Sequence, residues 1–229
     1  MGFWIAAALF SLGCALFGHS YMNATRRKDY RSAFPRKGLA GLCFVAAALC
    51  LLPLCADRRF AWLVVTGLVF GLLGDQLLAL RFLDKKRHDL MFALGALAFS
   101  VGHVWYLLAL YGRDSRLLKP SLPALVLGLA LSAVYARLRR TEPGRFRFAA
   151  LVYVGLVVFM AASACALAVR SFAAGTLLFA AGGVLFAVSD NLLLARSFGS
   201  AHENEGINSA IHLTYYAAQL LIAWSAAWL

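Results

Sequence analysis

Residues 60–80 read FAWLVVTGLVFGLLGDQLLAL, twenty-one residues with a single charge, Asp75. A helix of that length, at 1.5 Å per residue, crosses a hydrocarbon core of ~30 Å. Seven more runs of this kind cover about 2–21, 38–56, 90–111, 119–137, 148–169, 173–195 and 207–228. The chain is 62% apolar and 14% charged, against roughly 45–50% and 25% in soluble domains. Segments of ~10 alternating residues, the mark of a transmembrane barrel, do not occur. The expected fold is all-α: a polytopic transmembrane bundle of eight spans, one domain over 1–229. No connector is long enough for a soluble domain. The first run lacks a basic leader and ends in Arg26-Arg27-Lys28, so it reads as a retained span and not a cleaved signal.

The net charge of +12 raises the question of nucleic acid, and its distribution answers it. Arg26, Arg27, Lys28, Arg31, Arg36 and Lys37 lie between the first two runs. Arg81, Lys85, Lys86 and Arg87 follow the third, and Arg137, Arg139, Arg140, Arg145 and Arg147 the fifth. With Arg196 these are 16 on one side, against 6 on the other: Arg58, Arg59, Arg113, Arg116, Lys119 and Arg170. This is the positive-inside asymmetry. It places the basic loops in the cytoplasm, both termini outside, and the protein in a membrane, with a bacterial inner membrane as the expected location. The partners it implies are membrane lipids with anionic headgroups, not nucleic acid. The oligomeric state is not encoded in any pattern found. The five cysteines sit in or beside apolar runs without CxxC spacing and read as small buried hydrophobes.

Asp75 has a counterpart. Gly74-Asp75-Gln76-Leu77-Leu78 is matched by Ser189-Asp190-Asn191-Leu192-Leu193, and Arg81 and Arg196 each follow six residues after the aspartate. The other eight acidic residues lie in charged connectors. A carboxylate in a bilayer costs a few kcal/mol on insertion scales and is a functional site by default. The two runs point the same way across the membrane, so both carboxylates are expected at one depth, roughly 9 Å inward of an arginine anchor. Gly67 and Gly71, and Gly183 and Ala187, precede them at helical spacing. Such small residues let helices approach closely, so both aspartates should face the interior. Two carboxylates sharing a low-dielectric site do not readily both ionise. That yields an acid and an anionic carboxylate from identical side chains, as in the carboxylate pair of glycosidases.

Other residues form a second tier of candidates. Gln76 and Asn191 can orient a carboxylate or bind a polar substrate group, or else bond across helices. Asn208, His212, Tyr215, Tyr216 and Gln219 form a polar stripe in the last run at the depth of the aspartates, with Tyr215 and Gln219 on one face. Arg81 and Arg196 are expected either to snorkel as anchors or to hold a phosphate. His19, His103 and His212 lack any HxxxH or HExxH spacing and scatter in depth, so no metal site is expected. His202-Glu203-Asn204-Glu205 reads as a solvated loop. A His-x-x-Tyr pattern occurs at His103–Tyr106 and at His212–Tyr215. Together with the aspartate repeat it raises a weak duplication of spans 1–4 and 5–8.

These residues resemble the YhhN-like membrane proteins, a family that includes lysoplasmalogenases. The resemblance rests on Gly74-Asp75 with Leu77-Leu78, and on Ser189-Asp190 with Leu192 through Phe198. It extends to Gly95, Phe99, His103 and Tyr106, and to Thr214-Tyr215-Tyr216 with Gln219. One departure is Phe34-Pro35-Arg36-Lys37-Gly38, where the family tends to open its second span with Lys-Pro; Lys37 is not counted among the site residues on that ground. The resemblance implies hydrolysis of the vinyl ether of a lysophospholipid to a fatty aldehyde and a glycerophospho-ethanolamine or -choline. Asp75 and Asp190 would be catalytic. Gln76, Asn191, Tyr215, Gln219, His103, Tyr106, Arg81 and Arg196 would bind substrate, and no cofactor would be needed. Two other classes fit the paired carboxylates or the histidines: a proton-coupled transporter and a zinc-dependent ceramidase-like hydrolase.

Overall fold

The computed structural model describes residues 1–199 and 205–228. The loop read at His202–Asn204 lies outside the described residues. Eight long helices account for most of the rest: α1 (Gly2–Arg26), α2 (Tyr30–Leu51), α3 (Arg58–Leu80), α4 (His88–Arg113), α5 (Leu118–Leu138), α6 (Arg147–Ser171), α7 (Ala174–Phe198) and α8 (Glu205–Ser225). Seven of them, α1 to α7, are long and apolar enough to cross a membrane. The eighth expected span is a helix of 21 residues diluted by polar side chains. Asn208, His212 and Gln219 are buried, so α8 brings polar groups to the middle of an apolar bundle.

α8 packs against α1, α2, α3 and α7. Around it, α1 pairs with α2, α3 with α4 and α6 with α7, and α4 closes on α6. α5 stands outside against α6; of its residues only Ser121 is buried. The α3–α4 contact is close because α3 presents glycine. A Cβ at Gly67 would lie 2.3 Å from the Tyr106 ring, and one at Gly74 would lie 2.7 Å from Phe99. At Gly71 a Cβ would lie 2.3 Å from Gln219 Nε2 of α8. The stripe that precedes Asp75 thus faces inward, as its spacing predicts. On α7, Gly183 lies against Ala161 of α6.

The two ends of the bundle differ. At the end without the basic loops, Asp57 pairs with Arg113 at 3.1 Å and Asp114 with Arg170 at 2.6 Å, tying the end of α4 to the turn before α3 and to the last turn of α6. The Phe60 amide at the start of α3, helped by Arg113, holds the Asp57 carboxyl below its usual range. Two of the six basic residues on that side are thereby neutralised, which sharpens the asymmetry.

The start of α2 differs from the sequence reading. Asp29 caps the helix by accepting from the Ser32 amide, so α2 begins at Tyr30, eight residues before the expected 38. Pro35 lies inside the helix. Arg31, Arg36 and Lys37 are therefore helical, and Lys37 is 4% exposed. It belongs to the bundle interior and not to a basic loop.

Candidate active site

α3 and α7 deliver Asp75 and Asp190 to one small cavity of about 30 Å³, room for about one or two waters. Both carboxylates are buried. Their surroundings differ. Lys37 Nζ of α2 lies 2.8 Å from Asp75 Oδ1, while Asp75 Oδ2 is buried and has no hydrogen-bond partner among the described residues. Asp190 has no cationic partner among the described residues. Its Oδ2 accepts a 2.5 Å hydrogen bond from the Tyr153 hydroxyl of α6. One carboxylate is held by an ammonium and the other by a neutral phenol.

A chain of hydrogen bonds lies beneath Asp75. The Tyr106 hydroxyl donates to Gln219 Oε1 at 2.9 Å, Gln219 Nε2 donates to Tyr215 Oη at 2.9 Å, and Tyr215 donates to the Gly71 carbonyl at 3.3 Å. Tyr215 lines the cavity. Tyr106 and Gln219 stand behind it and fix its ring. Next to Asp190, the Ser189 hydroxyl donates to the Ile211 carbonyl at 2.9 Å and pins α7 to α8.

Arg81 and Arg196 line both the carboxylate cavity and an adjoining polar one of about 200 Å³ at the basic end. Arg196 donates to Asn208 Oδ1 at 2.6 Å. Arg81 lies over the rings of Phe82 and Phe92, and its Nε has no hydrogen-bond partner among the described residues. Neither arginine has a carboxylate partner among the described residues. Asp89, on the same rim, is already held by Arg145 and His88. Burial, and then the neighbouring Arg196, push Arg81 down to about 10. It remains charged at neutral pH, and a bound anion would relieve both effects.

Five of the expected residues do not line the cavity: Tyr106 and Gln219, which back Tyr215, and Gln76, Asn191 and His103. Gln76 packs on Gly38 of α2. Asn191 donates to the Ala187 carbonyl at 2.8 Å and lines an apolar groove beside α5. A residue one position past the aspartate is rotated by about 100° around the helix, which turns both amides away. His103 bonds the Phe99 carbonyl at 2.7 Å and packs edge-on to Phe186 and Tyr153, one layer behind Asp190. The histidines do not converge. His19 bonds Asn23, His212 lines the cavity, and no three His, Cys, Asp or Glu among the described residues are grouped as metal ligands.

The sequence reading passed over two contacts. Lys37 was readable in part: Asp29-x-x-Ser32 is an N-cap pattern, and a helix started there carries Lys37 two turns in, to the edge of the apolar run at 38. Tyr153 has no local signal, because nothing distinguishes it from any tyrosine in a span until α6 meets α7.

The pattern of the YhhN family matches residues 33–226, most of the chain and all of the cavity except Tyr21 of α1. The protein belongs to the YhhN family. The match begins four residues before Lys37 and so includes the α2 segment that departs from the usual Lys-Pro order. No match was found among curated proteins, and none among solved structures. In this YhhN protein the two aspartates share one cavity with Tyr215 and both arginines, and Gln219 and Tyr106 back Tyr215 through hydrogen bonds.

Proposed function

We propose that this YhhN protein is a lysoplasmalogenase, cleaving the vinyl ether of an alkenyl-glycerophospholipid to a fatty aldehyde and a glycerophospho-headgroup. The observation that carries the reading is the unlike pairing of two carboxylates in one cavity. Vinyl ethers resist base and yield to acid, so the enzyme needs a carboxylic acid and, close by, an anionic carboxylate. Lys37, 2.8 Å from Asp75, favours the anionic form of that carboxylate over its neighbour's. Asp190, bonded to the Tyr153 phenol and paired with no cation among the described residues, is the group that carries the proton.

Asp190 gives its proton to the β-carbon of the alkene, whose π electrons form the new C–H bond. The positive charge is shared between the α-carbon and the ether oxygen, and Asp75 faces it. Water then attacks the α-carbon and loses a proton to Asp75 Oδ2, giving a hemiacetal. The hemiacetal's bond to the glycerol oxygen breaks. Asp75 returns its proton to that oxygen, and the hemiacetal hydroxyl proton goes to Asp190. Both carboxyls end as they began, and one water is consumed. Tyr153 and Lys37 act through the aspartates, which they hold and position.

The headgroup lies at the basic end, on the cytoplasmic face if the charge asymmetry sets the orientation. Arg81 and Arg196 bind its phosphate. A remote contact of this kind contributes uniform binding, so Arg81→Ala and Arg196→Ala should raise KM more than they lower kcat. Steady-state kinetics on each variant checks this; an unchanged KM in both would return the arginines to anchoring. The reading as a whole is tested by mass spectrometry of products from vinyl-ether, alkyl-ether and acyl lysophospholipids. Aldehyde from the first alone is expected. Fatty acid from the acyl lipid at a comparable rate would contradict it, since ester cleavage calls for a nucleophile and oxyanion hole.

A further inference from the structure

The carboxylate cavity, about 30 Å³, has room for about one or two waters and is too small for a lipid chain, so the chain needs its own room and a way in. A second cavity of about 390 Å³ lies between α4, α6 and α7. It shares Leu78, Phe99, Asp190 and Leu193 with the carboxylate cavity, and apart from Asp190, Ser100 and Tyr153 its lining is apolar. It also reaches the outside of the bundle. Leu97 of α4 and Phe148 and Val152 of α6 line it while being 59%, 79% and 55% exposed.

We propose that this cavity is a side entrance, through which one hydrocarbon chain of a phosphate-bearing amphiphile passes from the bilayer between α4 and α6 to lie against Asp190. Depth, continuity and charge support this occupant. Val152 is five residues from the start of α6 and Leu97 nine from the start of α4, about 8–14 Å inward of the basic end. Asp190 lies roughly 9 Å inward of Arg196 by the same rise. A lipid with its headgroup at that end presents its first chain carbons at this level. The arginine-lined cavity adjoins the chain cavity through Phe92, Phe146 and Phe198, which line both. Their ring centroids stand 5.3 to 6.1 Å apart and mark where headgroup gives way to chain. The walls include Ala93, Ala96 and Ala149, whose small side chains leave the space open. The apolar groove beside α5 has similar volume but does not touch Asp75 or Asp190.

The route rests on the lysolipid reading, but its test does not use turnover. The probe is a lysophosphatidylethanolamine whose saturated ether chain carries a diazirine, photolysed on the full-length protein in vesicles of diacyl phosphatidylcholine, with labelled residues mapped by mass spectrometry. Saturable labelling is expected at residues 92–100 and 148–153, competed by unlabelled lysophosphatidylethanolamine and not by added diacyl lipid. Ala96→Trp and, as a second filling variant, Val152→Trp should each weaken the probe's half-saturation by about ten-fold or more, the scale of steric misfit in an apolar pocket. Ala124→Trp, in the groove beside α5, should leave it unchanged. Labelling that rises linearly on all exposed helices alike overturns the route, and so does labelling concentrated beside α5 or unaltered in both filling variants. Saturable labelling here with no vinyl-ether turnover would keep the entrance and remove the lysoplasmalogenase reading.

Discussion

Asp190→Asn is expected to lower kcat by about 10²–10⁴-fold, the range attributed to a positioned general acid, while the protein still inserts and purifies as a folded bundle. The amide is the same size as the carboxyl, and its oxygen still accepts the Tyr153 hydroxyl, which lies 2.5 Å from Asp190 Oδ2. Structure is therefore preserved and only the proton is lost. Asp75→Asn should be inactive for a different reason: the amide neither stabilises the cation nor takes a proton from water, and it leaves Lys37 buried without an anion. The two variants should thus differ in stability while agreeing in activity. Aldehyde release from a vinyl-ether lysophospholipid measures the first property and thermal unfolding in detergent the second. Near-wild-type turnover by Asp190→Asn would remove that residue from the chemistry.

Lys37→Met is expected to cost more stability than any surface substitution. The Lys37–Asp75 pair is 2.8 Å long with side chains 5% and 4% exposed. Removing one partner strands the other, at about 3–5 kcal/mol for a buried pair. Turnover should fall as well, since an Asp75 without its ammonium takes up a proton and two acids then share the cavity. The double variant Lys37→Met/Asp75→Asn removes both charges and should recover much of the lost stability with no recovery of activity. Coupling read from such a cycle isolates the pair. An unchanged melting temperature in Lys37→Met would show that the contact contributes nothing.

The fold was legible because a bilayer demands long apolar helices, and residues 60–80 with their seven counterparts announce that directly. The aspartate pair was legible because carboxylates are rare in such runs and the two share an offset to an arginine. Helical geometry explains what was misread. Gln76 and Asn191 are adjacent to the aspartates in sequence but point elsewhere, because adjacency along a helix is not adjacency in space. Lys37 was counted with a basic loop because the apolar run begins at Gly38, whereas the Asp29 cap starts the helix earlier. Tyr153 became visible only when the packing of α6 on α7 was known. No pattern within a single span encodes a contact between 153 and 190.

The most direct measurement is hydrolysis of a vinyl-ether lysophospholipid in D₂O, with the aldehyde trapped as it forms and analysed by mass spectrometry. Proton delivery from Asp190 to the β-carbon places one solvent deuterium at the aldehyde's α-carbon in every turnover, and with that transfer limiting the rate the chemical step slows in D₂O. An aldehyde released without deuterium at that carbon, at an undiminished rate, would contradict protonation of the alkene and with it the roles given to both aspartates.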